Sequence, residues 1–258
     1  MSRIPKEDSS RYLEKKRFFN NLLTVYGRKP VQEALEDPST EVYRLHLASS
    51  NRSAPILEDI ERLARQKGAE LVYHDRASLS RISKNAKQDQ GVAADLICKK
   101  FQTSEAFLAA NQDKSFRMLA LDGVTNPQNL GMIIRSACAG NIDGILLPRS
   151  GNARIDPLAI KASAGTVFRA PIISCDNLAK TLAEFRQQGV RICGLSSHAQ
   201  TSLRDFSPEA ACVYVLGNES EGVSAEVSAL CDTQVKIPMN HGVESLNVAV
   251  TAALIAFN

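Results

Sequence analysis

The closing segment of the chain constrains the fold more than any other part of the sequence. A short run ends at Pro238, a polar loop with Gly242 follows, and residues 246–257 are almost wholly apolar. The only polar side chains in that stretch are Asn247 and Thr251, which are four residues apart and share one helix face. A helix that is apolar nearly all round is buried. We therefore expect Asn247 to lie in the interior, bonded to polar groups from elsewhere in the chain.

Composition excludes several classes of protein. The chain of 258 residues can form one large domain or two small ones, and 44% hydrophobic with 23% charged residues is typical of a soluble globular protein. No apolar run is long enough to span a bilayer. The six cysteines are scattered without a Cys-x-x-Cys pair, which argues against a zinc site or a disulfide framework. We expect reduced thiols, no metal and a cytoplasmic location.

The chain divides into four predicted regions. Residues 1–20 form a polar tail, and its basic side chains fit either a solvated tail or an arm that contacts phosphates. Residues 21–98 form a small α/β domain, with strands at 42–48, 70–74 and 91–97 and helices from residue 28 and over 54–67. Residues 99–115 are the predicted linker, and residues 116–258 form the second domain.

The second domain shows short, continuous apolar runs that alternate with helical patterns. Such runs are typical of parallel strands that are covered on both faces. They predict a doubly wound α/β sheet with its functional site at the carboxyl ends of the strands. The predicted strands are 118–121, 143–147, 190–195, 211–216 and 234–237, and the predicted helices are 130–139, 178–187, 224–230 and 246–257. No dinucleotide fingerprint and no P-loop is present.

Polar side chains follow three of these strands and should share one rim of the sheet. We expect Asn129 to cap the helix at 130–139, and Ser245 to cap the last helix. Arg135 is the only charge in the first of these helices, so we expect it to be partly buried with Glu219 as a plausible partner. A structural salt bridge, or a turn with solvated acids, remains the alternative for each segment read alone.

The same rim lacks a metal-ligand set and a hydrolase-type serine elbow. It therefore suits a reaction whose electrophile arrives on a cofactor.

The three loops together resemble the signature motifs of the SpoU/TrmH family of the SPOUT class. Asn126-Pro-Gln-Asn129-Leu-Gly131 with the following Arg135 resembles the first motif, and residues 216–222 resemble the second. The third spans 237–248, through Ser245-Leu-Asn-Val. Residues 21–98 resemble the family's substrate-binding domain, mainly at Tyr26-Gly27 and at residues 90–93.

The resemblance implies an α/β-knot domain, a deep trefoil knot, in place of a plain doubly wound sheet. It implies S-adenosylmethionine as cofactor, RNA as substrate and a homodimer. The implied catalytic residues are Asn129, Arg135, Glu219, Ser245 and Asn247. The implied cofactor contacts are Leu216, Gly217, Ile237, Met239 and Leu246. Because a guanidinium is essentially always protonated, we interpret Arg135 as a clamp for a phosphate or an oxyanion, ahead of a base.

The implied activity is methylation of a ribose 2′-hydroxyl in RNA. The additional N-terminal domain favours ribosomal over transfer RNA as the substrate. Two alternatives stay open: a transfer RNA 2′-O-methyltransferase, and an inactive RNA-binding or ribosome-assembly factor.

Overall fold

A computed structural model describes residues 18–19, 21–112, 114–208 and 210–258. Nearly all of the predicted tail, and with it the question of a phosphate-contacting arm, lies outside the described residues. Among the residues that are described, no helix is long and apolar enough to cross a membrane.

The first domain is a four-stranded sheet with helices on both faces. Its elements are β1 (Leu22–Tyr26), α1 (Arg28–Glu36), β2 (Glu41–Ala48), α2 (Pro55–Gln66), β3 (Glu70–His74), α3 (Arg76–Ser83) and β4 (Val92–Ile97). The strand order is β1-β4-β2-β3, with only β2 and β3 parallel. Leu45 and Leu47 face the core beneath α1 and α2, while Ala48 packs against Leu79 of α3. The strands and helices predicted here are confirmed; β1 and α3 were not predicted.

The segment predicted as a linker contains ordered structure. Gln102–Thr103 form β5, which pairs with the second sheet, and α4 (Ser104–Ala110) follows. Phe107 of α4 packs edge-on against Phe116, with the ring centroids 5.0 Å apart.

The second domain is built on an eight-stranded sheet in which every strand pair is parallel. Its strand order is β10-β12-β9-β11-β6-β7-β8-β5. The strands are β6 (Arg117–Leu121), β7 (Gly144–Pro148), β8 (Ile172–Cys175), β9 (Arg191–Leu195), β10 (Thr201–Ser202), β11 (Cys212–Leu216) and β12 (Thr233–Lys236). The helices are α5 (Pro127–Ala139), α6 (Pro157–Ala162), α7 (Leu178–Gln187), α8 (Ala225–Ser228) and α9 (Val248–Ala256).

The predicted parallel sheet is therefore confirmed. Its five predicted strands lie within one or two residues of the observed ones, but β8, β10 and α6 were not predicted. These three elements span two to six residues, which is too short to show a hydrophobic period.

The last helix, α9, packs on α5 but is not buried all round. A Cβ at Gly140 would lie 2.4 Å from the Ala256 carbonyl oxygen, so glycine permits this close approach. On the opposite side Val250, Leu254 and Phe257 are 48%, 43% and 64% exposed. The expectation of a fully buried helix is thus wrong for one face, which carries an apolar stripe at helical spacing.

Candidate functional site

The loops that follow β6 and β11 meet at the carboxyl end of the second sheet. The two strands pair in register up to Leu121 and Leu216. Just beyond, the Asp122 N–H donates to the Leu216 carbonyl at 2.8 Å, and Asn218 Nδ2 donates to the Gly123 carbonyl at 2.9 Å. Parallel pairing therefore brings these polar segments into direct contact.

The prediction that Asn129 caps α5 is wrong, because Asn129 lies inside the first turn of this helix. The cap is Asn126, whose Oδ1 accepts from the Gln128 N–H at 2.8 Å. The physical reason is Pro127, which suits the first helical position and starts the helix one turn earlier than predicted. The side chain of Asn129 is left inside the protein, with the residue only 6% exposed.

The buried Asn129 amide joins the three loops. Its Nδ2 donates to the Glu219 carboxylate, and its Oδ1 accepts from Asn247 Nδ2 at 3.0 Å. An ionised carboxylate can only accept, which sets the orientation of the Asn129 amide. We call this arrangement the amide bridge (Glu219, Asn129 and Asn247). It links the segments after β6, β11 and β12.

The expected burial of Asn247 is wrong. Asn247 is exposed and is the N-cap of α9, where its Oδ1 accepts from the Ala249 N–H at 2.8 Å. An N-cap residue stands outside the helix that it terminates, so its side chain is not carried into the core. The cap predicted at Ser245 is also wrong, because α9 begins at Val248 and its N-cap is Asn247. The buried amide of this site is Asn129.

Arg135 is exposed on α5 and makes no hydrogen bond or ion pair with any residue that the structure describes. Its predicted partial burial and its pairing with Glu219 are both wrong. At 3.6 residues per turn, Arg135 points about 120° away from Asn129 around the helix. The Glu219 carboxylate accepts from Asn129 instead. A guanidinium without a protein partner is available to an anionic ligand.

A cavity of about 510 Å³ opens beside the amide bridge. The five residues predicted as cofactor contacts all line it: Leu216, Gly217, Ile237, Met239 and Leu246. Of the predicted catalytic residues, Glu219 and Ser245 also line the cavity, whereas Asn129, Arg135 and Asn247 lie outside its lining.

Gly217 allows one wall of the cavity to fold back on itself. Asn218 and Gly222 exchange two backbone hydrogen bonds, both at 2.9 Å, and Gly222 has a φ of +72°. A Cβ at Gly217 would lie 2.1 Å from the Gly222 carbonyl carbon. Only glycine fits at position 217 without moving this loop.

The structure adds a loop that was not predicted as part of the site. Ser196, Ser197 and His198 follow β9 and line the same cavity. A signal was present in the sequence, because these polar residues come directly after the predicted strand at 190–195. Thr251 of α9 also lines the cavity.

The chemistry of the lining favours a neutral or cationic ligand. Glu219, Glu221 and Glu244 outnumber the one lysine, Lys236. An acidic rim of this kind disfavours a polyphosphate.

Among the described residues, the cavity lining contains no strong nucleophile. Burial, followed by the negative charges of Asp232 and Asp122, raises the pKa of the Cys231 thiol to about 11. Cys231 is therefore protonated at neutral pH and unreactive. Within the described part of the chain, no group of three or more metal-binding side chains occurs.

Comparison with known proteins agrees with the motifs. The profile of the SpoU rRNA methylase family matches residues 117–257, and that of the RNA 2′-O ribose methyltransferase substrate-binding domain matches residues 24–102. An uncharacterized tRNA/rRNA methyltransferase of Mycobacterium ulcerans is 34% identical over 236 residues, which cover 90% of this chain and 74% of the relative.

Two solved structures share the fold over nearly their full length. The SpoU methyltransferase AviRb from Streptomyces viridochromogenes, in complex with AdoMet, aligns with a TM-score of 0.63 at 22% identity and covers 96% of this chain and 91% of its own. A TrmH-family protein from Porphyromonas gingivalis aligns with a TM-score of 0.60 at 27% identity and covers 97% of both chains. The chain belongs to the SpoU rRNA methylase family, with the methylase domain in its second half and the substrate-binding domain in its first.

Proposed function

We propose that the protein is an S-adenosylmethionine-dependent RNA ribose 2′-O-methyltransferase that acts on ribosomal RNA. The observation that carries the proposal is an acidic, apolar-walled cavity beside the amide bridge, with an unpaired Arg135 on α5, the helix that carries Asn129. The family membership supports methyl transfer to RNA.

The cavity fits the proposed cofactor in size and charge. Its volume of about 510 Å³ falls within the range of small-molecule sites. The carboxylates of Glu219, Glu221 and Glu244 complement a sulfonium cation, and Leu216, Ile237 and Leu246 provide apolar walls for an adenine. The related AviRb was solved with AdoMet bound, which supports the same cofactor here.

The bound cofactor would supply an electrophilic methyl group. In the proposed reaction the ribose 2′-oxygen bonds to the methyl carbon, the carbon–sulfur bond breaks, and the hydroxyl proton passes to water. A hydroxyl is a weak nucleophile, so the protein contributes by positioning it and by stabilising the charge that develops on oxygen. Arg135 is the proposed clamp for that charge or for the neighbouring phosphate, and the amide bridge holds Glu219 in place.

Arg135→Ala should abolish methyl transfer and leave cofactor binding intact. Removing a donor that stabilises the developing charge costs at least about 100-fold in kcat, whereas Arg135 does not line the cavity. Tritium transfer from labelled S-adenosylmethionine measures the first effect and calorimetry the second. The control is Arg191→Ala, an exposed arginine at the opposite ends of the strands. Turnover near that of the unmodified protein would refute the assigned role.

Asn129→Asp should disable the amide bridge. The substitution keeps the shape of the side chain but sets an acceptor against the Glu219 carboxylate. The loss of a hydrogen bond to a charged group predicts a roughly 10- to 100-fold lower kcat. Adding Glu219→Gln supplies an amide donor and should restore part of the activity. Gln128→Glu, an exposed amide-to-acid change one residue earlier, is the matched control. Equal loss of activity in the control would contradict this role for the bridge.

The choice of ribosomal RNA is tested by mapping ribose methylation in cells with and without the protein. The presence of a separate substrate-binding domain supports a large, structured substrate. We expect one ribosomal site to lose its resistance to alkaline cleavage, because 2′-O-methylation blocks attack by the neighbouring hydroxyl. A change in transfer RNA alone would overturn the proposed substrate. A base methylation would overturn the proposed 2′-O chemistry.

We also propose that the protein is a homodimer through α9. The exposed stripe of Val250, Leu254 and Phe257 borders a second, apolar cavity of about 400 Å³, and Ile237 lines both this cavity and the first one. Leu254→Arg should halve the mass measured by sedimentation, because it buries a charge at the apolar contact. Tyr73→Arg, at an exposed aromatic residue of the first domain, should leave the mass unchanged. A dimer that persists in Leu254→Arg would exclude this face.

The trefoil knot remains part of the proposal. After β12 the chain returns across the sheet to α5, where Asn247 bonds to Asn129 and the Asn141 N–H donates to the Ala256 carbonyl at 2.8 Å. This path supports threading of the last segment past the loop that follows β11. Pulling the two ends apart in a force experiment should yield an extended chain that is shorter than an unknotted one of the same length.

A further inference from the structure

A second polar cavity lies in the first domain, where α1, α2 and α3 all begin. It encloses about 690 Å³. Three arginines line it: Arg28 at the start of α1, Arg52 before α2 and Arg76 at the start of α3. None of the described residues in its lining is a carboxylate, and Ala54 is the one apolar side chain among them.

The nearby acids offset only part of this positive charge. Asp89 is buried; one of its oxygens lies 3.6 Å from Arg76 Nη1 and also accepts from the Gly91 N–H at 2.9 Å. Glu58 accepts from Ser53 at 2.8 Å, at the start of α2. Arg52 makes no hydrogen bond or ion pair with any part of the chain that the structure describes. The cavity therefore keeps a net positive charge.

Two walls of the cavity are held in place by hydrogen bonds within the protein. Gln90 has a φ of +51°, and its Oε1 and carbonyl oxygen accept from the Arg28 N–H at 3.0 Å and from Arg28 Nε at 3.3 Å. Asn51 Nδ2 donates to the Gly91 carbonyl at 2.8 Å. A Cβ at Gly91 would lie 2.0 Å from Asn51 Oδ1, so glycine is required there. Preorganisation of this kind reduces the entropic cost of binding.

Two of the three helices add to the positive potential. Neither N-cap residue, Gly27 for α1 or Ala54 for α2, makes a side-chain hydrogen bond to its helix, and at the start of α1 Gln90 Oε1 accepts from the Arg28 N–H alone. The positive ends of both helix dipoles therefore act on the same space as the three arginines.

We propose that this basic cavity binds the phosphodiester backbone of the RNA substrate. Guanidinium groups match phosphate oxygens in geometry and charge. The lining has a single apolar side chain, Ala54, against which the apolar side chains of a protein ligand could pack. Contacts of this type position an RNA without reading its sequence. The inference rests on the proposed function, because it takes the methylated RNA as the ligand.

The test compares RNA binding by Arg52→Gln, Arg76→Gln and a matched control, Arg62→Gln. Arg62 lies on the exposed side of α2 and pairs with Asp59 at 3.0 Å, so the control removes the same charge from the same domain. The probe is a labelled RNA hairpin of mixed sequence, followed by fluorescence anisotropy at several salt concentrations. Each cavity variant should bind roughly tenfold more weakly, with a salt slope smaller by about one. The control should change by less than about twofold.

The full-length protein is used throughout, and thermal melting verifies that each variant is folded. Arg52→Lys keeps the charge and should retain most of the binding, which a loss of folding would not allow. Cavity variants that bind RNA as the control does would overturn the proposal. If the same variants bound a polyglutamate peptide more weakly but bound RNA as the control does, the result would overturn the proposal in favour of a protein ligand.

The binding assay needs no methyl transfer, so the two proposals can fail separately. RNA binding that depends on Arg52, in a protein that methylates no RNA, would contradict only the proposed function. Methylation with an unchanged KM for RNA in both cavity variants would contradict only the role of the cavity.

Discussion

The site depends on one buried amide. Asn129 accepts from Asn247 and donates to Glu219, residues that are 118 and 90 positions away in the sequence. Both bonds can form only when the loops after β6, β11 and β12 are in contact. A bond to a charged group contributes about 1.5–3 kcal/mol, and a buried amide that lost its partners would cost a similar amount. The amide bridge therefore favours the arrangement of loops that surrounds the cavity.

The same bridge connects the cavity to the last helix. Asn247 caps α9 while it bonds to Asn129, so the start of this helix is placed by the site. The end of the helix is held by a hydrogen bond, because Arg117 donates to the Ile255 carbonyl at 2.9 Å. With both ends of α9 held, its apolar stripe is presented on a fixed surface. Ile237 lines both the first cavity and the apolar cavity beside this stripe.

Sequence patterns predicted the parts of the fold that depend on average burial. Short apolar runs identified five strands of the parallel sheet, and the rule that strand ends share a rim brought the polar loops together. Patterns did not predict the phase of the helices. Asn126, Pro127 and Asn129 are all compatible with a helix start, and the choice decides which amide is buried. Likewise, the exposure of Arg135 follows from that phase, and hydrophobic periodicity alone does not determine it.

The net charge of +3 conceals two sites of opposite sign. The lining of the cavity in the second domain carries three carboxylates and one lysine, whereas that of the first domain carries three arginines and no carboxylate. An RNA backbone is repelled by the former and attracted by the latter. The acidic lining thus disfavours phosphates in the cavity proposed for the cofactor. Arg135, the only charged residue of α5, lies outside that lining. Opposed fields of this kind let one chain hold a cationic cofactor and a polyanionic substrate without competition between them.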